Sequence, residues 1–246
     1  MISYRGATRW ITGVLMSRST VSVLGSCRID VGSGYATPRS RMVCGLLVAF
    51  AASANRRIGV TTLSTVLWDH PPDSARANLR SHVAQLRQLL SGVPCTVETH
   101  HGSPSGYSLH IAPEQLDIFH FRDRVRQARL LSATDPDRAM AVYEIALDLW
   151  CGDYDGILPD TVAMQAITTG WNLEYNHALS AYAEVAIARK STSRLLNHLY
   201  RQAIRHPYDP TVTSMLRRAI IADGSPSDVA LPSDLAMAAY TTPKAG

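Results

Sequence analysis

Short apolar runs broken by glycine open the readable part of the chain. Val21 to Leu24 and Cys27 to Val31 predict two strands, with Gly25-Ser26 and Gly32-Ser33-Gly34 as the turns between and after them. At Pro38 the period changes. Met42, Val43, Leu46, Leu47 and Phe50 recur at helical spacing and predict a helix from about Arg39 to Ala52. Arg57 to Val60 suits a short extended piece. Thr61 or Thr62 is placed to cap a second helix carrying Leu63, Val66, Leu67 and Trp68, which Pro71-Pro72 closes. Asp73 is the expected cap of a third helix with Leu79, Val83, Leu86, Leu89 and Leu90 along one side. Beyond Gly92, Cys95 to Thr99 and Tyr107 to Ile111 predict a hairpin whose tip is His100-His101-Gly102-Ser103-Pro104-Ser105-Gly106.

This order of strands, three helices and a hairpin predicts a helix-turn-helix followed by a wing. From Leu116 onward strand signals nearly vanish. Phe121, Val125, Ala128 and Leu131 make one stripe, and Asp135-Pro136 starts another helix through Ala139, Val142, Tyr143, Ala146, Leu147 and Trp150. Leu173 to Ala188, Leu195 to Ile204 and Val212 to Ile221 supply further amphipathic segments. Alanine-rich helices with Tyr143, Tyr182 and Tyr200 at intervals suggest antiparallel pairs of the tetratricopeptide kind. The expected fold class is α+β and predominantly helical, a winged helix followed by an all-α repeat domain. The expected divisions are an N-terminal extension (1–18), the winged helix (19–114), the repeats (115–224) and a degenerate C-terminal segment (225–246).

The third helix carries the most chemistry. With Leu79 at zero and about 100° per residue, Val83, Leu86 and Leu90 fall within about 40° of it and form the buried stripe. Ala77, Ser81 and Gln88 lie opposite, flanked by Ser74, Ala84 and Gln85, with Asn78 further round. Small residues let a helix approach a base edge closely. Asn and Gln can bond adenine in a bidentate manner, and Ser suits base or phosphate. Arg76, Arg80 and Arg87 line one shoulder, within reach of phosphates or a guanine edge. No acidic residue follows Asp73 in this helix, whereas a solvated helix commonly mixes Glu with Lys. In the hairpin tip, His100, His101 and Ser103 are candidate contacts to the backbone or minor groove. The bland alternative for all of these is a solvated helix face and a polar turn.

Charge sharpens the division. Residues 1–116 hold 11 Arg against 5 acidic residues, and residues 117–246 hold 13 basic against 15 acidic. A basic first half beside a slightly acidic second half suggests that only one domain meets a polyanion. The 46% hydrophobic and 18% charged composition describes a folded protein rather than a disordered chain. There is no apolar run of eighteen residues, so a cytoplasmic location without membrane association is expected. Arg5, Arg9 and the stretch from Trp10 to Met16 fit a signal peptide poorly, and Met16 is a plausible alternative start.

Enzyme chemistry finds little support. There is no GxGxxG after a strand, no phosphate-binding GxxxxGK[ST], no HExxH and no GxSxG. Asp153, Asp155 and Asp160 lack calcium-loop spacing. Glu174, His177 and Glu184 can share a helix face, but a structural role outweighs acid–base catalysis. Cys27, Cys44, Cys95 and Cys151 are scattered and read as free, mostly buried thiols. The adjacent pair His100-His101 lacks further ligands. No catalytic residue, metal site or cofactor is therefore expected.

The segments SVLGSCRIDV, PRSRMVCGLLVAFAASANRRIGV, LSTVLWDHPPDSARANLRSHVAQLRQLL, THHGSPSGYSLHI, LDIFHFRDRV and AVYEIALDLWCGDYDGIL, in this order, resemble the Streptomyces antibiotic regulatory protein family from about Val21 to Ala222. The scarcity of lysine, Lys190 and Lys244 only, also fits an actinobacterial source. The resemblance implies an OmpR-type winged helix and a bacterial transcriptional activation domain. It further implies a pathway-specific activator that binds direct repeats in double-stranded DNA as side-by-side protomers and recruits RNA polymerase holoenzyme. The chain departs from the family where relatives often carry basic residues, at Ala77, Gln85 and His100, while Arg87 is retained. Fewer cations at the interface imply weaker or more pH-sensitive binding. Gly224-Ser225-Pro226-Ser227-Asp228 and Pro232 stand where relatives continue a helix, which puts activation rather than DNA binding in doubt. The alternative reading is a protein-interaction module that grips a partner with its helical repeats.

Overall fold

In the computed structural model, β1 (Val21–Ser22) pairs antiparallel with β2 (Arg28–Asp30), and β2 with β3 (Tyr35–Ala36), which the sequence did not predict. Residues 20–154, 156–224 and 231–232 are described. The expectations for residues 1–18, for Asp155 and for nearly all of 225–246 lie outside them. Gly25, at φ +68, makes the first turn and lies so close to Gly152 that a Cβ on it would stand 2.0 Å from the Gly152 carbonyl oxygen. Only glycine fits both conditions.

Helix α1 (Arg41–Ala52) is apolar almost all round, and its residues Val43 to Ala51 are buried. β4 (Ile58–Gly59) leads directly into α2 (Val60–Leu67). The helix therefore starts at Val60, with Gly59 at its N-cap, and neither Thr61 nor Thr62 caps it. After the turn at Trp68–Ser74 comes α3 (Ala75–Leu89). Its N-cap is Ser74 rather than Asp73, and Ser74 has helical dihedrals and makes no side-chain cap bond. The first turn is closed instead by the Pro72 carbonyl, which accepts from the Ala75 N–H at 2.8 Å.

Strands β5 (Cys95–His100) and β6 (Gly106–Ile111) form the expected hairpin, one residue longer on each side of the tip. β4 pairs with the other edge of β6, giving the antiparallel order β4-β6-β5. Of the expected extended piece at Arg57 to Val60, Ile58–Gly59 is the third strand of the hairpin's sheet, and Val60 already belongs to α2. Gly106 permits this closeness, since a Cβ there would meet the Ile58 carbonyl oxygen at 2.4 Å.

The chain divides into two compact units. The first holds the described residues through His120 together with Gly152–Met164; the second holds Phe121–Cys151 and the residues from Gln165. The return of 152–164 to the first unit is fixed by specific bonds. Arg41 Nε donates to the Leu158 carbonyl at 3.0 Å, Thr161 Oγ1 to the Val66 carbonyl at 2.8 Å, and the Val162 N–H to Asp69 Oδ1 at 3.0 Å. Pro159 lies against Gly45 of α1, where a Cβ would meet the proline ring at 2.6 Å.

Helices α4 (Asp117–Leu131) and α6 (Val162–Ala188) each begin with residues of the first unit and continue in the second, which also holds α5 (Pro136–Leu147), α7 (Ser193–Arg205) and α8 (Pro210–Ala222). Asp135 and Asp209 cap α5 and α8, each with proline at the first helical position. Helix α6 starts eleven residues before the predicted Leu173. Its early part holds Thr168, Thr169 and Gly170, all poor helix formers, yet Met164 and Trp171 are buried one heptad apart. Tyr143 and Tyr182 are fully buried with ring centroids 6.0 Å apart, and Trp150 packs edge-on to Tyr175 at 5.2 Å. Among the described residues, no helix is long and apolar enough to cross a membrane.

Candidate nucleic-acid interface

Helix α3 presents two chemically distinct faces. Leu79, Val83, Leu86 and Leu90 are at most 4% exposed. Burying side chains of this size contributes about 1.5–3 kcal/mol each, so the helix orientation is strongly fixed. Ser74, Arg76, Ala77, Asn78, Arg80, Ser81, Ala84, Gln85, Arg87 and Gln88 are all exposed. The sequence-derived stripe and its complement therefore match the observed burial. Leu89 is the exception among the predicted apolar positions and is only half-buried.

Local bonds restrict several of these side chains. Asn78 Nδ2 donates to Ser74 Oγ at 3.1 Å, and Arg80 Nε reaches the Arg76 carbonyl at 3.4 Å. Neither Arg76 nor Arg80 has an acidic partner among the described residues. The free cations thus sit on the first half of the helix.

Arg87 behaves differently. Its Nε and Nη2 both donate to the Val97 carbonyl, at 2.9 and 2.8 Å, and Nη2 also donates to Thr99 Oγ1 at 2.7 Å. Two of its three guanidinium nitrogens are spent on β5. Arg87 fastens the hairpin to the helix, a use that its helical-wheel position on the shoulder does not reveal.

The turn before α3 is also braced. Trp68 lies 6.1 Å from the His82 ring. His82 is half-buried, its Nδ1 lacks a partner, and burial holds the imidazole below its usual pKa. A neutral ring is the form that packs against Trp68 without desolvating a charge.

In the hairpin, His101 and Ser103 are exposed at the tip. His100 is not in the tip but ends β5, half-buried, with Nε2 2.8 Å from Ser108 Oγ. Ser108 Oγ lies 2.9 Å from His110 Nε2, which in turn is 3.0 Å from Glu98 Oε2. Sequence reading singled out His100 but not Glu98, Ser108 or His110. The strand period was the available signal, because residues 98, 100, 108 and 110 all point to one side of a hairpin in this register.

Beneath these elements, Asp117 is buried, with Oδ2 accepting from the Val23 and Leu24 N–H groups at 2.8 and 2.9 Å. Burial pushes its carboxyl up to about 7, against the pull of those backbone donors and the charge of Arg28. Its Oδ1 has no partner among the described residues. The acidic residues considered for catalysis are ion-paired or lie in a loop. Glu174 pairs bidentately with Arg122, and Glu184 with Arg218; Asp153 and Asp160 belong to the segment between α5 and α6. The four cysteines are free; Cys27 and Cys44 are buried, Cys95 is partly buried and Cys151 is exposed.

Comparison with known proteins adds an independent line. Residues 116–232 match the bacterial transcriptional activator domain. The chain is 30% identical over 193 residues to the transcriptional regulatory protein EmbR of Mycobacterium tuberculosis and of Mycobacterium bovis, covering 76% of this chain and 48% of theirs. It is 30% identical over 136 residues to the transcriptional regulator RedD of Streptomyces coelicolor, covering 54% of this chain and 39% of that protein. The chain thus spans about half the length, or less, of the curated relatives it matches. A solved structure of Mycobacterium tuberculosis EmbR in complex with a low-affinity phosphopeptide superimposes with a TM-score of 0.67 at 24% identity, covering 84% of this chain and 56% of that one. This last likeness is one of fold.

Proposed function

From the match of residues 116–232 to the bacterial transcriptional activator domain and the similarity to the regulators EmbR and RedD, we propose that the chain is a transcriptional regulator of the Streptomyces antibiotic regulatory protein type, a sequence-specific DNA-binding activator whose reading element is α3. In this reading α1, α2 and α3 with the β5–β6 hairpin form an OmpR-type winged helix, and α4 to α8 form a tetratricopeptide-like activation domain. The outer face of α3 carries the proposal: it is exposed, free of carboxylates from Ser74 to Leu90, and bears Arg76 and Arg80 without acidic partners among the described residues. Such a face can enter a major groove without repelling phosphates, while its amide and hydroxyl side chains address base edges. Ser74, Asn78, Ser81, Gln85 and Gln88 read bases; Ala77 and Ala84 allow close approach; Arg76 and Arg80 hold phosphates. His101 and Ser103 at the hairpin tip touch the neighbouring backbone or minor groove.

Protomers bind side by side on direct repeats near promoters of a secondary-metabolite pathway, and the helical unit recruits RNA polymerase holoenzyme. No catalytic step or cofactor enters this mechanism. Footprinting of the full chain on the regions upstream of its neighbouring genes tests it. Protection of repeats spaced by about one helical turn is expected; uniform, unphased protection or none would exclude sequence-specific binding.

A further inference from the structure

The outward side of the β5–β6 hairpin gathers three metal-ligating groups. Glu98 and His100 are two residues apart on β5, Ser108 and His110 two apart on β6, and Glu98 stands opposite Ser108. The period of two puts all four side chains on one face. The carboxylate of Glu98 and one ring nitrogen each of His100 and His110 lie within 4.8 Å of one another. Glu98 and His110 are exposed, His100 is half-buried and Ser108 is buried.

The proton inventory of this cluster is tight. A carboxylate only accepts, so the 3.0 Å contact of Glu98 Oε2 assigns a proton to His110 Nε2. The Ser108 hydroxyl lies 2.8 Å from His100 Nε2 and donates to it or accepts from it according to the imidazole tautomer. A carboxylate oxygen and two imidazole nitrogens, each a metal ligand once deprotonated, thus converge on one small volume around the Ser108 hydroxyl. A cation that binds all three acceptors satisfies that arrangement directly.

From this geometry we propose that Glu98, His100 and His110 form a surface site for a divalent first-row metal ion of the zinc class. Two imidazoles and one carboxylate with a water in the fourth position are a recognised tetrahedral zinc set. Zinc–ligand distances of about 2.0–2.1 Å place tetrahedral ligand atoms roughly 3.4 Å apart. Glu98 and His110 are already at 3.0 Å. His100, half-buried at the end of β5, closes the set by a side-chain rotation, its ligand atom already lying within 4.8 Å of the other two. Ser108 then becomes a hydrogen-bonding neighbour of the ligands rather than their spacer. Resting on the DNA reading above, the bound dication reverses the charge of a hairpin face that otherwise carries the Glu98 carboxylate toward phosphates.

The test needs no DNA. Titration of the untagged full chain with zinc sulfate by calorimetry, and with cobalt sulfate by absorption, is expected to show one saturable ion per chain and no thiolate-to-cobalt charge-transfer band. His100→Ala and His110→Ala each weaken binding at least tenfold, and so does Glu98→Gln, which keeps the shape and hydrogen-bonding capacity of the side chain. His101→Ala, outside the set, leaves it unchanged. Far-ultraviolet circular dichroism matching the wild type confirms that these surface variants fold. Absence of stoichiometric binding, equal binding by the His100 and His110 variants, or a thiolate band placing the ion on cysteine would each overturn the proposal.

Discussion

The Arg87 guanidinium clasps the Val97 carbonyl with two nitrogens, at 2.9 and 2.8 Å, joining helix α3 to strand β5. A charged residue on the shoulder of a candidate reading helix would ordinarily be assigned to phosphate. Here its hydrogen-bonding capacity is largely directed at the protein itself, so it fixes the angle between helix and hairpin.

That use makes Arg87→Ala separable from a lost phosphate contact. The variant is expected to lose roughly 1–2 kcal/mol of stability, the lower part of the range for hydrogen bonds to charged groups, because the pair is partly solvated. DNA affinity is expected to fall while the slope of log affinity against log salt stays within about half a unit of wild type. Arg87→Lys does not restore the two-nitrogen clasp. Chemical denaturation read beside binding isotherms at several salt concentrations checks this. A slope change of about one unit with full stability would reassign Arg87 to phosphate.

Asp117 predicts a pH dependence of stability. Its folded carboxyl is pushed up to about 7 by burial, above the roughly 3.9 of an unfolded Asp. The folded state therefore binds the proton more tightly, and stability declines as pH rises from about 4 through 7. Asp117→Asn has no proton to release and keeps a carbonyl oxygen for the Val23 and Leu24 N–H groups. Relative to the variant, the wild type is expected to lose on the order of a few kcal/mol across that window. Urea midpoints of both proteins between pH 5 and 8 measure it. Parallel curves would show that Asp117 stays ionised when buried.

Gly45→Ala tests the return of the 152–164 segment to α1. In a free helix the change would be favourable by about 1 kcal/mol. A Cβ 2.6 Å from the Pro159 ring instead forces a rearrangement costing about 1–3 kcal/mol. A lowered melting temperature is expected, and Gly45→Ala combined with Pro159→Ala should recover most of the loss. A stabilised single variant would mean that Pro159 yields freely.

Periodicity conveyed the parts of this fold that depend on nearby residues. The buried stripe Leu79, Val83, Leu86 and Leu90 and the start of α5 at Asp135-Pro136 follow from spacing and caps, whereas for α8 spacing showed only the Val212 to Ile221 stripe and not the Asp209 cap. Asp73 and Thr61 failed as caps for a different reason. Many residue types can occupy a helix start when a neighbouring carbonyl, as at Pro72, closes the first turn. The use of Arg87, the burial of Asp117 and the Glu98–His100–His110 cluster depend on residues brought together from separate elements. Spacing within one element carries no information about such meetings. The hairpin cluster was the most accessible of these, because strand alternation and the register at the tip suffice to assemble it.

Reading of DNA by α3 through its carboxylate-free face is measured by salt-dependent fluorescence anisotropy. Wild type and the Arg76→Ala/Arg80→Ala double variant are compared on a duplex carrying the protected repeats and on a scrambled duplex. Both arginines are exposed and have no acidic partner among the described residues, so the fold should stay within about 0.5 kcal/mol of wild type. Affinity for the repeats is expected to be at least tenfold lower in the double variant, with a log–log salt slope reduced by about 1.8, two phosphate contacts' worth. Wild type and variant binding both duplexes with the same affinity and the same slope would contradict it.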